Sequence, residues 1–253
     1  MAADLPDFTV KIAETQDELQ AAQRLRYDVF VRELGGDGAL VDHDEGLEKD
    51  RFDPFYDHML LTDTTTDKVV GVYRLLRQEQ AKEAGQFYSE DEYELEPLTS
   101  SGRKIMELGR SCLHRDYRGG AAMFHLWSGL AQYVAQHEIE IMFGVASFHG
   151  TDTSELANSL SMLYHNHLAP PELRVRSKHF QQMDLLKADD LDRRQAMVST
   201  PALIKAYLRL GGFVGDGAYV DHGFNTTDVC VILDTAGMNE RQKRIYTGGR
   251  DGK

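Results

Sequence analysis

Two cysteines in 253 residues, Cys112 and Cys230, are too few for a disulfide framework, and neither stands in a paired metal-binding spacing. A reducing compartment, and so the cytoplasm, is the default expectation. Positive charge is scarce: 28 Lys and Arg stand against 41 Asp and Glu, for a net charge of -13 with His neutral. A surface of that sign repels nucleic acid and anionic lipid as a whole, so any acidic partner has to find a local basic patch. No run of 18 apolar residues occurs, which argues against a spanning helix. Met1 to Val10 carries Asp4 and Asp7 without a basic n-region or a long apolar run, unlike a signal peptide. Ser111 and Cys112 lack a Gly-x-Ser-x-Gly setting and read as structural. His165 and His167 lie two apart, which points them away from each other on a helix, and Asp50 with Asp53 does not repeat a calcium loop. No metal is expected.

What is present is ample core material, with 42% apolar residues. Phe8 to Ala13 alternates like a strand, and Thr15 with Glu18 resembles a capping box opening a helix through Phe30. Gly35-Gly36-Asp37-Gly38 ends it, and an acidic, irregular stretch follows from Val41 to Asp57. His58 to Asp63 and Val69 to Leu76 read as antiparallel strands joined by a Thr/Asp turn, with Gln78 to Gly85 helical or turn-like. Ile139 to Ser147 reads as a buried strand, and Glu155 to His167 as a helix stopped by Ala169-Pro170-Pro171. Later come a short strand within Arg174 to Lys187, a helix from Pro201 to Leu210 closed by Gly211-Gly212, and strands at 218–220 and 228–233. The segment from Asn239 to Lys253 reads as a loose, polar, basic tail. No repeat or low-complexity linker divides the chain, so the expectation is one continuous α/β domain over residues 1–253, with an elaboration from about residue 151.

The stretch from Arg103 to Val134 organises this pattern. Ile105 to Arg110 reads as a strand, Arg115 to Gly120 as a basic glycine turn, and Ala121 to Val134 as a helix. A strand entering a helix through such a turn aims backbone N–H groups and the positive helix end at one spot, where anions bind. Alternation puts Met106, Leu108 and Arg110 on one strand face and Glu107 on the other. An acyl donor carrying phosphate at the turn, with a carboxylate nearby to accept a proton, is one reading. Glu107 as a solvated strand residue, with Arg110 and Arg118 as surface charges, is the other, and spacing alone does not separate them. Arg115 and Arg118, with Arg174, Arg176, Lys178 and His179, are the cations that could dock an acidic carrier; a solvated edge is the alternative.

A resemblance narrows this. Arg26-Tyr27-Asp28-Val29-Phe30, Asp50 and Asp53, Arg74-Leu75-Leu76, and Glu107 with Arg110 fall in the order and local spacing of the acyl-homoserine lactone synthase motifs, a branch of the GNAT acyltransferase fold. Over nearly the whole chain the closer resemblance is to the bacterial ornithine N-acyltransferases, which begin ornithine-lipid synthesis. Glu33-Leu34-Gly35, Tyr73 to Arg77, Glu107 to Cys112 and Phe224 to Asp228 carry it.

The resemblance implies a GNAT-like α/β fold, with a mixed, mostly antiparallel central sheet flanked by helices. It implies transfer of a 3-hydroxyacyl chain from acyl carrier protein to the α-amine of an amino acid, with ornithine favoured and lyso-ornithine lipid as product. Glu107 falls on the family's central acid and Arg110 on its arginine partner, while Arg26, Phe30, Asp50, Asp53 and Arg74 match positions that shape the substrate pocket and its loop. The pyrophosphate turn departs from the common GNAT pattern: Arg118 is followed by Gly119-Gly120-Ala121-Ala122-Met123, so Ala121 and Met123 stand where small glycines are usual. That suits a phosphopantetheine arm on a carrier better than coenzyme A, and no tightly bound cofactor is expected. The alternatives are acylation of glutamine, glycine or lysine, lactone synthesis, and a non-catalytic acyl-carrier-binding module. The amphiphilic product makes peripheral contact with the inner membrane face plausible, although no clear amphipathic anchor is visible.

Overall fold

Alternating residues build the first strand, near-continuous apolar runs build the central ones, and a capped apolar stripe starts the first helix. The computed structural model describes residues 7–242. Most of the expected tail, residues 243–253, and residues 1–6 of the N-terminal segment lie outside them. The described chain forms two compact units, one from residues 7–84 and 108–138 and the other from 85–107 and 139–242.

In the first unit, β1 (Phe8–Ile12) leads into α1 (Gln16–Arg26). The capping box is present: Glu18 N–H donates to Thr15 Oγ1 at 3.3 Å, and Thr15 N–H donates back to Glu18 at 3.2 Å. The helix extends past Arg26 as a π-helix, Tyr27–Glu33, where periodicity predicts continued α-geometry through Phe30. Ala22, Leu25 and Val29 pack with Leu60, Val72 and Cys112. β2 (Asp57–Asp63) pairs antiparallel with β1 on one side and with β3 (Lys68–Arg77) on the other, and α2 (Gln78–Ala84) follows. The β2–β3 turn is closed by Asp63, whose carboxylate accepts from Thr65 N–H at 2.9 Å.

The second unit begins with β4 (Tyr93–Glu94) and α3 (Glu96–Thr99). β5 (Ile105–Leu113) contributes Ile105 to Glu107 to the second unit and its remaining residues to the first, next to β3 in strand order. α4 (Ala122–His137) belongs to the first unit, burying Ala122, Leu126, Trp127, Leu130, Tyr133 and Val134.

The second unit resumes with β6 (Ile141–His149), α5 (Ala157–His167) and β7 (Arg176–Ser177), which pairs with β4. After α6 (Arg193–Ser199) and α7 (Ala202–Arg209) come β8 (Phe213–Val214), β9 (Tyr219–Asp221) and β10 (Thr226–Asp234). β10 pairs antiparallel with β6 from Thr226↔His149 to Asp234↔Ile141, and also with β8 and β9. β5 pairs parallel with β6 only from Ile105↔Ile141 to Glu107↔Phe143. The expected mixed, mostly antiparallel sheet is therefore present. The buried Tyr93 hydroxyl approaches the Gly217 and Asp228 carbonyls, each at 3.0 Å. Asn239 and Gln242 cap each other reciprocally, at 2.7 and 3.0 Å, so the described start of the expected loose tail is an ordered turn.

Helix α4 meets β1 closely at Gly129, where an added Cβ would lie 2.4 Å from Val10 Cγ1. Alanine gains about 0.5–1 kcal/mol in helix preference over glycine, but overpacking costs about 1–3 kcal/mol. Gly129→Ala is therefore expected to lower stability by about 1 kcal/mol. A urea midpoint equal to or above that of the wild type would contradict the close packing.

Candidate active site

Three arginines that the sequence scatters over 84 positions converge in the first unit. Arg26 comes from the last turn of α1, Arg74 from β3 and Arg110 from β5. Arg26 and Arg74 are fully buried. Buried cations need partners, and the acidic stretch between α1 and β2 supplies Glu48, Asp50 and Asp53. Arg26 donates through Nη1 and Nη2 to Asp53, at 2.8 and 3.1 Å, and through Nη2 to the Glu48 carbonyl at 2.8 Å, while its Nε pairs with the Glu48 carboxylate. Arg74 Nη1 lies 2.7 Å from both Asp50 and Asp53. Arg110 Nε donates to Glu48 at 3.0 Å, and its Nη2 is 3.5 Å from Asp50.

Neighbours complete the cluster. Gln23 Nε2 donates to Asp53 at 2.9 Å, and His58 Nε2 contacts the Asp53 carbonyl at 3.0 Å. The Arg74 guanidinium lies over the Tyr56 ring at 4.3 Å and that of Arg110 over Phe30 at 5.9 Å. Burial pushes the three carboxyls up, but the arginines pull harder, and all three end below the ordinary range, Asp53 furthest. Burial also lowers His58, opposed by Asp53.

The structure thus brings together Arg26, Phe30, Asp50, Asp53, Arg74 and Arg110, and adds Glu48. Glu48 carries a hydrogen bond to each of Arg26 and Arg110, yet among so many acids between residues 42 and 53 nothing in the sequence singles it out. Arg110 has a positive φ of 48°, left-handed backbone that a non-glycine residue adopts at a cost. Simple strand alternation therefore does not run through it, contrary to the expected common face for Met106, Leu108 and Arg110.

Glu107 belongs to the second unit and is 1% exposed. Its Oε2 accepts from Tyr88 N–H at 2.8 Å and its Oε1 from Ser89 N–H at 2.6 Å, with the Ser89 hydroxyl also bonded to Oε1. A solvated strand carboxylate, one of the two readings above, is excluded. Three donors aimed at two oxygens suit a carboxylate, and the bonds also fix the short 3₁₀ turn Tyr88–Asp91. Periodicity does not reveal these partners because they lie 18 and 19 residues upstream in an acidic stretch of unassigned structure.

The basic turn is present as a 3₁₀ turn, Arg115–Tyr117, followed by Arg118, Gly119 and Gly120. Gly119 has φ +77°, and an added Cβ would meet nothing within 4 Å. Helix α4 has Ala121 at its N-cap, with no side-chain cap and no acid in its first turn. Arg115 is exposed. Arg118 is paired with Glu33, so it is not the uncommitted anion ligand that the turn pattern suggests. In the second unit Arg174 Nε donates to the Ala169 carbonyl at 2.7 Å, and Arg176 pairs with Asp216 and lies 4.0 Å over Phe180. Lys178 donates to the Glu90 carbonyl. Arg176 and Lys178 are nevertheless exposed.

A protein from Rhodobacter capsulatus named L-ornithine N(alpha)-acyltransferase is 55% identical over 258 residues, covering 100% of both chains. The chain belongs to the L-ornithine N(alpha)-acyltransferase family. A family member from Brucella abortus is 40% identical over 246 residues, covering 94% of this chain and 88% of its own. Residues 25–128 match the family profile of an acetyltransferase (GNAT) domain. Among solved structures, the AHL synthase LasI aligns with a TM-score of 0.51 at 17% identity, covering 96% of each chain. A CoA-dependent acyl-homoserine lactone synthase solved with SAM and isopentyl-CoA aligns at 0.55 and 14%, covering 96% of this chain and 89% of its own. These likenesses establish the GNAT acyltransferase fold expected from the motifs. The family establishes an N-acyltransferase, against the non-catalytic alternative.

The charge cluster of this family member gives a direct test. Its three carboxyls have folded pKa values below their unfolded ones, so their stabilisation is complete above the unfolded range, near pH 4, and is lost as pH falls toward the depressed values. Asp53→Asn leaves Arg26 and Arg74 short of charge and is expected to cost about 3–5 kcal/mol at neutral pH. It should also flatten the acid dependence of stability between about pH 5 and 2. Denaturant titrations at several pH values measure both effects; parallel wild-type and variant curves would remove Asp53 from the linkage.

Proposed function

We propose that the enzyme moves a 3-hydroxyacyl chain from the phosphopantetheine arm of acyl carrier protein to the α-amine of ornithine, yielding lyso-ornithine lipid. The observation that carries this reading is the full-length, 55% identity to a protein named for that acceptor and that amine. At neutral pH the amine is mostly ammonium, and only its free base attacks a thioester. Glu107 is the proton acceptor in this proposal, acting directly or through a water, a role that contributes roughly 10²- to 10⁴-fold in rate. Hydrogen bonds from Tyr88 and Ser89 support it by fixing the position of the carboxylate. Backbone N–H groups near Leu108 to Ser111 hold the tetrahedral oxyanion, beyond the point where the β5–β6 ladder ends.

The donor phosphate is assigned to Arg115, Arg118, Gly119, Gly120 and the uncapped start of α4, where orphan N–H groups and the helix dipole favour an anion. The carrier docks on Arg115, with Arg174, Arg176 and Lys178 as further cations. Arg26, Phe30, Asp50, Asp53, Arg74 and Arg110 shape the acceptor pocket and its loop. Because the product is an amphiphile, peripheral contact at the inner membrane face belongs to the same proposal; among the described residues no helix is long and apolar enough to cross a membrane.

Mass spectrometry after mixing the enzyme with 3-hydroxyacyl carrier protein and a pool of amino acids is expected to find N-acylated ornithine. A different N-acyl amino acid would replace the acceptor, and no product would remove the donor and acceptor assignment together. Glu107→Gln is expected to lower kcat by about 10²- to 10⁴-fold while the folded state persists. Unchanged turnover would leave Glu107 only the turn it holds. Arg115→Glu should raise the KM for the acyl carrier at low salt, with the difference shrinking as salt rises; an unchanged KM removes Arg115 from the docking surface.

A further inference from the structure

Arg118 lies in the turn assigned above to the donor phosphate, yet its guanidinium is already engaged. Nε donates to the Leu113 carbonyl at 3.1 Å and Nη2 to Glu33 Oε2 at 2.9 Å, while Nη1 pairs with Glu33 Oε1. This is the two-pronged geometry with which arginine binds phosphate as well as carboxylate. Glu33 closes the π-helix Tyr27–Glu33, a local widening of the helix that often marks a functional position. The chain leaves it through Leu34, 50% exposed, and Gly35, with φ +74° and nothing within 4 Å of an added Cβ. The Arg118 hydrogen bond draws the Glu33 carboxyl below its ordinary range, burial opposes it, and the charges of Arg118, Arg115 and His114 add to the pull. A carboxylate therefore occupies the cation that a phosphate would use.

We propose that Glu33 is a displaceable internal counter-ion that holds Arg118 until the donor's phosphate takes its place, making the Glu33–Arg118 pair a gate on donor entry. The proposal rests on the donor reading above. The two side chains are 35% and 42% exposed, and solvent-exposed pairs favour the closed arrangement by a factor of only about 1.5 to 5. Such a pair is weak enough for the singly charged phosphodiester of the arm, brought to the turn by the docked carrier, to open it. Only the open fraction binds, so the apparent donor affinity falls by one plus that ratio, about 2.5- to 6-fold. An unphosphorylated surface gains nothing from the exchange, so the gate discriminates for the loaded arm.

Titration calorimetry at low ionic strength, with acyl carrier protein in its phosphopantetheine-bearing and apo forms, tests this on wild type, Glu33→Gln, Arg118→Gln and the double variant. Thermal melts of each establish that the variants are folded. Glu33→Gln is expected to bind the phosphopantetheine-bearing carrier about 2.5- to 6-fold more tightly and to leave apo binding unchanged. The gain should vanish in the Arg118→Gln background. An equal gain on the apo carrier would make Glu33 a general surface repulsion and overturn the gate. Unchanged or weaker binding by Glu33→Gln, with Arg118→Gln weakening the loaded carrier, would also overturn it while leaving the donor reading intact. Equal binding of both carrier forms by wild type and Arg118→Gln would reject the donor reading itself.

Discussion

Arg26 and Arg74 have no exposed surface, and an ion so placed costs several kcal/mol unless its charge and hydrogen bonds are met. That requirement disciplines the irregular chain between the π-helix and β2. Buried Leu47, Phe52 and Tyr56 anchor the segment by packing. Glu48, Asp50 and Asp53 have to arrive at the guanidinium groups at the same time, so the loop's path is set by charge as much as by packing. Three cations and three carboxylates leave the cluster near neutrality. Deleting any one partner exposes the remainder to an uncompensated buried charge, and this makes the cluster a cooperative unit rather than a sum of pairs.

The same cluster reaches β5. Arg110 is held by Glu48 and Asp50 and lies over Phe30, and its backbone is left-handed. Strain of this kind persists only where the surroundings over-determine it. The side-chain anchorage of Arg110 is what holds β5 in that shape, so residues distant in sequence govern the course of the strand just beyond Glu107. Glu107 has its own restraint within the second unit, through Tyr88 and Ser89. Both residues are thus held by several bonds rather than one.

Periodicity in the sequence reveals β2, β3, α4, β6, α5 and β10 because each is long enough for its apolar repeat to register. It does not reveal β4 or β8, each two residues long, nor the brief α3 and α6, since such stretches hold at most two repeats of their period, and it places β7 only loosely, within Arg174 to Lys187. The capping box locates the start of α1, whereas the π-helix beyond Arg26 leaves no compositional trace. For the site, the resemblance collects Arg26, Asp50, Asp53, Arg74 and Arg110, which their separations of up to 84 positions keep from any local pattern. It does not expose Glu48, one acid among many, or the pairing of Arg118 with Glu33 across 85 positions. Long-range ion pairs depend on folding geometry, and no spacing rule encodes them.

Both cysteines lie in the apolar interior, Cys112 packed with Ala22, Leu25 and Val29 and Cys230 fully buried on β10. Burial pushes the Cys112 thiol up to about 12 and raises Cys230 as well, so neither supplies appreciable thiolate at neutral pH. The native fold is therefore nearly silent toward thiol-reactive dyes and spin labels. A single cysteine introduced at an exposed position would carry a reporter without first stripping the wild-type residues, which opens this enzyme to spectroscopic tracking of individual loops.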